Sequence, residues 1–324
     1  MLALTLFGVF FLIALAGVPL LFSILITTVG IIWAQDLGHP LETIFLSFIG
    51  GVEPFILLAV PLFIFAGELL AQGGVGKRIV EFARVLFGWL PGGLGVVTVM
   101  SCTMFGGVSG SAIADTAAIG SLVIPAMIAR GYSRGFAAAL LAVAGTIALL
   151  MPLSIPFLIY AFISGVSMRT LSMAGLLPAL ASAIALIVVC MWHGRKTGCD
   201  NGEDRSSLPQ IWAATRDAGP ALLMPVIIIG GIWSGIFTPS ESAAIAVFYG
   251  LAVSMFYYRD LKWQRIPQLL LNAFVTSATV MLVIGATGAM AWLITVEQVA
   301  VQMAAWIQIV ATEQWMFLLL FNIC

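Results

Sequence analysis

Gly93–Ala129 reads GLGVVTVMSCTMFGGVSGSAIADTAAIGSLVIPAMIA, 37 residues in which Asp115 is the single charged side chain. As one helix this stretch would reach ~56 Å at 1.5 Å per residue, against a hydrocarbon core about 30 Å thick. Gly106-Gly107-Val108-Ser109-Gly110-Ser111 sits at its centre, where glycine and serine weaken a helix interior. Two arms that turn back at Ser109-Gly110-Ser111 fit the length. The basic residues test this reading, because Lys and Arg concentrate on the cytoplasmic side of a membrane protein. The chain has 13 of them. With a re-entrant hairpin and a cytoplasmic N-terminus, twelve face the cytoplasm (Lys77, Arg78, Arg84, Arg130, Arg134, Arg195, Lys196, Arg205, Arg216, Arg259, Lys262 and Arg265), and Arg169 alone lies outside. With a single crossing the same residues divide nine to four, so the hairpin is preferred.

Outward from the hairpin, apolar runs recur at about 2–33, 43–72, 135–168, 170–193, 219–236, 239–258 and 270–294, and again from Trp315. The chain is 62% hydrophobic and 8% charged, too few charges for a water-facing surface, which takes roughly 25%. The sequence predicts an all-α polytopic membrane protein. No segment alternates apolar and polar residues as a barrel strand does. A net charge of −1 offers no basic face to nucleic acid. Cys102, Cys190, Cys199 and Cys324 have no metal or redox spacing. No basic stretch precedes the first run, which therefore reads as a retained span.

The run 135–168 carries Pro152 and Pro156 near its centre. Proline removes a backbone donor and clashes with the preceding turn, so an unwound segment is expected around Met151–Pro156. Broken backbone at membrane depth is tolerated only beside protein or a water-filled cavity, and interrupted elements of this kind form the binding sites of secondary transporters. Residues 76–88 and 297–311 read as interfacial helices. Each follows a span and precedes a further apolar start, an inverted-topology repeat.

Several constellations have two readings. Ser109 and Ser111 offer hydroxyls at a helix start, where free N–H groups attract a carboxylate and unwound carbonyls hold a cation; a small-residue turn that only permits close packing is spelled the same way. Asp115 is either a first-turn residue stabilised by the helix dipole or a cation or proton site. Thr238-Pro239-Ser240-Glu241 reads as a capping box. Glu53 and Glu68 fall near span ends. Gly107-Val108-Ser109-Gly110 also spells the nucleophile motif of intramembrane serine proteases, which needs a histidine within reach of the serine. His39 and His193 are both expected far from it. No phosphate loop or metal cluster is present, and 194–218 reads as a near-neutral cytoplasmic linker.

These residues resemble the large (M-type) membrane subunit of tripartite ATP-independent periplasmic (TRAP) transporters. Similar stretches are Val60–Leu69, Leu90-Pro91-Gly92-Gly93, Phe105–Gly120, Ile124–Met127 through Arg130-Gly131-Tyr132, and Gly235–Ala246. The resemblance implies an elevator-type carrier of the bacterial inner membrane, without enzymatic activity or cofactor, coupled to Na⁺. It implies uptake of an organic, usually carboxylate, anion from a periplasmic solute-binding protein (P-type), with a small membrane subunit (Q-type) as partner. By position it implies substrate contacts at Ser109, Gly110, Ser111, Pro152, Ser154 and Pro156, and sodium ligands at Gly107, Ser109, Ser111 and Thr146. The implied organisation is scaffold helices 1–75, an interfacial helix 76–90, and the first half of a transport domain 91–168, made of hairpin 93–129 and broken helix 135–168. A connecting helix 169–193, a cytoplasmic loop 194–218, second-repeat scaffold helices 219–296, and a second interfacial helix with the start of a second hairpin 297–324 follow.

Two departures stand out. Where the family has Ser-Ser-Thr-Ile-Gly-Pro-Ile-Ile-Pro-Pro-Ser, this chain has Ala144-Gly145-Thr146-Ile147-Ala148-Leu149-Leu150-Met151-Pro152-Leu153-Ser154. The sequence also stops at Cys324, inside the first arm of the implied second hairpin, so it is expected to be incomplete and to transport nothing by itself. Alternatives are a binding-protein-independent anion carrier, an inactive fragment or scaffold, and a hydrolase using Ser109. No Lys or Arg lies in a span near the hairpin tip, so anion recognition there would rest on backbone, hydroxyls and dipoles.

Overall fold

A computed structural model describes residues 2–200, 202–310 and 315–316. Among these the chain is helical with no strand, and seven helices are long and apolar enough to cross a membrane. It is an all-α polytopic membrane protein. The helices gather into two units, one from residues up to Pro54 and from Ala278 on, the other Phe55–Ser277.

The first unit contains α1 (Leu2–Leu15), α2 (Leu20–Ala34) and α3 (Leu41–Val52). The apolar run 2–33 is thus two helices rather than one. Gly17 takes φ +88°, a left-handed value open to glycine, and Pro19 then starts α2 at its N-cap. Leu6, Ile24, Ile31, Ile32 and Ile44 form the unit's core with Ala286, Ala289, Met290 and Leu293. Outside that core His39 Nε2 lies 2.9 Å from Glu297 Oε1, with the imidazole edge-on to Trp292.

The second unit opens with a tight turn, Phe55–Leu58, and α4 (Ala59–Gln72), so the run 43–72 is also divided, at Pro54. Next come α5 (Val75–Phe87), α6 (Gly93–Ser109), α7 (Ala112–Ala129), α8 (Arg134–Thr146), α9 (Ile155–Ser164), α10 (Met168–Thr197), α11 (Leu208–Ser234) and α12 (Pro239–Ala252). Helix α13 (Ile266–Val296) begins in this unit and ends in the other, followed by α14 (Val299–Val310). The rest of the stretch expected to start a second hairpin, beyond Trp315-Met316, lies outside the described residues.

In α5 the buried residues Val75, Gly76, Ile79 and Ala83 recur at helical spacing, and the helix packs on α6 and α11. Its polar side works as well. Arg84 binds Glu81 at 2.8 Å and Glu203 at 3.1 Å, and Arg78 binds Asp260 at 2.6 Å while lying 3.8 Å from the Tyr258 ring centre.

The segment 194–218 differs from the linker expected of it. Helix α10 runs on to Thr197, and α11 starts at Leu208 with the Gln210 carboxamide accepting the Ser207 N–H at 2.8 Å. Between them Asp200 and Glu203 fold onto the base of the α6–α7 pair. Asp200 accepts the Leu94 N–H at 2.6 Å and the Tyr132 hydroxyl at 3.2 Å, and pairs with Arg130 at 3.0 Å. Glu203 takes Arg130 at 2.5 Å. Burial pulls the Arg130 pKa down, but the bonds from Asp200 and Glu203 outweigh it and leave it raised. Composition hid this contact, since a charged, near-neutral stretch spells a solvated loop equally well.

Candidate functional site

Helix α6 ends at Ser109, Gly110 takes φ +59°, and Ser111 caps α7, accepting the Ala114 N–H at 3.4 Å. The carbonyl end of one helix and the N–H end of the next therefore meet at three residues, placing opposite partial charges side by side. Ser109 is buried. Its hydroxyl donates to Asp115 Oδ1 and accepts the Ser111 N–H at 3.2 Å. Asp115 is fully buried in the first turn of α7, and its Oδ2 has no hydrogen-bond partner among the described residues.

The broken span supplies the facing surface. Helix α8 tightens over Ile147–Leu150, the chain is extended at Met151, and Ser154 caps α9 by accepting the Phe157 N–H at 3.4 Å. Met151, Pro152, Leu153 and Ser154 are buried. A side chain at Gly110 would meet the Leu153 carbonyl and stand 3.0 Å from Ser154 Cα, and one at Gly107 would stand 3.1 Å from Met151 Cε. The hairpin tip and the break therefore touch through backbone, which only small residues permit.

Of the sequence-predicted site residues, Gly107, Ser109, Gly110, Ser111, Pro152 and Ser154 come together here. Thr146 and Pro156 do not join them: both are exposed, and the Thr146 hydroxyl donates to the Val143 carbonyl of its own helix at 2.7 Å. Two contributors were missed. A side chain at Gly106 would stand 2.9 Å from Asp115 Oδ2, so this glycine clears the space beside the unpartnered oxygen. Gly67 of α4 packs against the tip as well: a carbon added there would stand in ordinary contact, 3.5 Å from the Ser109 carbonyl oxygen. The Gly106 signal was present in the run of glycines before Ser109, but which oxygen it faces depends on how the arms pair.

The serine-protease spelling has no chemistry behind it. Ser109 is bonded to a carboxylate, His193 stacks on Phe136 with ring centres 3.8 Å apart, and His39 is engaged by Glu297. Among the described residues no group of three or more His, Cys, Asp or Glu is placed to hold a metal ion. The arrangement is suited to binding: helix carbonyls, hydroxyls and one carboxylate for a cation, and the N–H ends of α7 and α9 for an anion.

Comparison with known proteins points to one family. The family model described as the tripartite ATP-independent periplasmic transporter, DctM component, matches residues 2–324. The chain is 34% identical to the C4-dicarboxylate TRAP transporter large permease protein DctM of Rhodobacter capsulatus, over 99% of this chain and 76% of that protein. It is 35% identical to the 2,3-diketo-L-gulonate TRAP transporter large permease protein YiaN of Escherichia coli, over 90% and 68%. Against the isethionate TRAP transporter permease protein DctMQ of Oleidesulfovibrio alaskensis it is 34% identical, over 98% of this chain and 50% of the relative.

Proposed function

Because the chain belongs to the DctM family of tripartite ATP-independent periplasmic transporters, we propose that it forms the large permease subunit of a secondary transporter for a small organic anion. The transport is coupled to Na⁺. A periplasmic solute-binding protein delivers the anion, and a small membrane subunit completes the membrane assembly. The chain sits in the bacterial inner membrane with its N-terminus in the cytoplasm. A carboxylate cargo is supported by relatives named for C4-dicarboxylate and 2,3-diketo-L-gulonate.

One observation carries the reading: the tip Ser109-Gly110-Ser111 is seated on the unwound Met151–Ser154 segment, with Asp115 buried behind it. Na⁺ takes oxygen ligands, and the carbonyl end of α6 with the Ser109 and Ser111 hydroxyls supplies them. A cation held there offsets the charge of an anion at the N-termini of α7 and α9, so each ligand raises the affinity for the other by the same factor. That reciprocity is the physical content of coupling. Thr146 is left out of this assignment by its exposure.

The test is binding of radiolabelled succinate to the protein in neutral-lipid nanodiscs. Replacing choline by Na⁺ is expected to raise the affinity at least tenfold, and Ser109→Ala to remove that gain. Equal affinity in the two salts would overturn sodium coupling, and no binding of any carboxylate would overturn the anion reading.

A further inference from the structure

A cavity of about 480 Å³ opens where α9 hands over to α10 and α11 to α12. Ile56, Phe162, Met168, Ile232 and Phe237 supply apolar wall, and Arg169 is the one ionisable group among its lining residues. Among the described residues Arg169 pairs with no carboxylate. It is also the lone basic residue that the charge count assigns to the outer side.

We propose that this cavity is an outer subsite for the organic anion, in which the Arg169 guanidinium holds a carboxylate of a small molecule and the apolar walls take its carbon chain. The proposal rests on the anion-transport reading above and adds to it a place and a residue. A planar guanidinium offers two parallel N–H donors that match a carboxylate, and the volume falls within the range of about 300–1,000 Å³ usual for small-ligand sites. The tip itself has no Lys or Arg, so Arg169 supplies the one cationic side chain that the charge count assigns to this side. The first turn of α10 reinforces it. Ser167 makes no side-chain cap, leaving the leading N–H groups of that helix free to favour an anion at the same place.

Position gives the subsite its role. Helix α9 joins the cavity to the break at Ser154, and its ten residues span ~15 Å. An anion released from Arg169 is one short helix away from the hairpin tip. Arg169 thus draws the anion to the transporter before the tip selects it. The subsite needs no sodium, since all its charge comes from the guanidinium and the helix end.

The test places a reporter in the cavity wall. Ser167→Cys is made together with Cys199→Ser and Cys324→Ser, which leaves Cys102 and Cys190, both buried, as the remaining native thiols. Its rate of modification by an uncharged methanethiosulfonate is measured in phosphatidylcholine nanodiscs without Na⁺. Succinate or gluconate is expected to slow modification at least fivefold, chloride at equal ionic strength to have no effect, and Arg169→Gln to abolish the protection. Ser109→Ala is expected to leave it intact. Protection that survives Arg169→Gln, or that arises from phosphatidylglycerol in the discs and not from the carboxylates, would overturn the subsite. So would unchanged modification in a preparation that still binds succinate in Na⁺, an outcome that spares the anion reading; loss of all carboxylate binding sinks both.

Discussion

The carboxylate of Asp200 accepts the backbone N–H of Leu94 at 2.6 Å, across 106 residues of sequence. Leu94 lies in the first turn of α6, whose N-cap Gly92 has no side chain to serve the free N–H groups. Asp200 therefore acts as the N-cap residue that the local sequence lacks. Its other oxygen binds Arg130, just past the end of α7, so one side chain ties together both ends of the hairpin.

Asp200→Ala is expected to destabilise the protein by roughly 2–3 kcal/mol, because it leaves the buried Leu94 N–H and the Tyr132 hydroxyl without their acceptor and takes from Arg130 one of its two carboxylate partners. Asp200→Asn keeps a neutral acceptor for Leu94 and should cost less. Arg130→Gln should cost less again, since Arg130 is 38% exposed and water replaces part of what it loses. Midpoints of thermal unfolding in detergent, followed by size-exclusion fluorescence, check the order. Asp200→Ala no worse than Arg130→Gln would show that the cap contributes nothing.

The hairpin tip and the break were legible in the sequence because each departs from what a membrane helix allows. Gly106–Ser111 interrupts a run too long to be one crossing, and Pro152 removes a backbone donor at membrane depth. The divisions at Pro19 and Pro54 follow the same rule, yet the apolar runs on either side concealed them. The grip of Asp200 on Leu94 could not be read locally, since it is a tertiary contact between a polar loop and a glycine-rich turn that carry no mark of each other. Thr146 stands apart from the tip for a related reason. Position in the family pattern supplied a hydroxyl, but helix phase turns it outward and brings the neighbouring Gly145 against Thr116 instead.

Gly110→Ala should be damaging where Gly135→Ala is not. Gly110 is left-handed at φ +59°, which costs a residue with a side chain about 1–2 kcal/mol, and the added methyl also meets the Leu153 carbonyl and Ser154. Gly135 lies in α8 with nothing within 4 Å of an added carbon, so alanine there is expected to stabilise by about 0.5–1 kcal/mol through helix propensity. The paired unfolding midpoints, with sodium-dependent succinate binding as the second readout, check both. A neutral Gly110→Ala would mean that tip and break do not touch.

Alkaline stability tests the Arg78 cluster. Burial pushes the Tyr258 phenol up to about 12, while the Arg78 charge over its ring pulls it down. A folded pKa above the unfolded value of roughly 10 means that the folded state keeps the proton longer. The stabilisation is then complete below pH ~10 and is lost as pH rises toward 12. Tyr258→Phe removes the titrating group, and its stability should fall less steeply than that of the wild type between pH 10 and 11. Parallel slopes would exclude Tyr258 from the effect.

The pair at the hairpin tip makes the sharpest prediction. Ser109→Ala deletes the one side-chain hydrogen bond that the fully buried Asp115 carboxylate makes among the described residues, leaving both of its oxygens unserved at a cost of roughly 1–3 kcal/mol. Asp115→Asn removes the charge that makes the loss severe, and its amide can supply a donor of its own. The double variant should therefore be nearly as stable as Asp115→Asn alone, so the two substitutions are strongly non-additive. Sodium-dependent binding separates stability from function: Asp115→Asn should remain folded yet lose much of the sodium-dependent gain in succinate affinity, since the tip no longer presents a negative charge to the cation. Additive unfolding midpoints, together with an undiminished sodium response in Asp115→Asn, would reduce Asp115 to a residue that only steadies the first turn of α7.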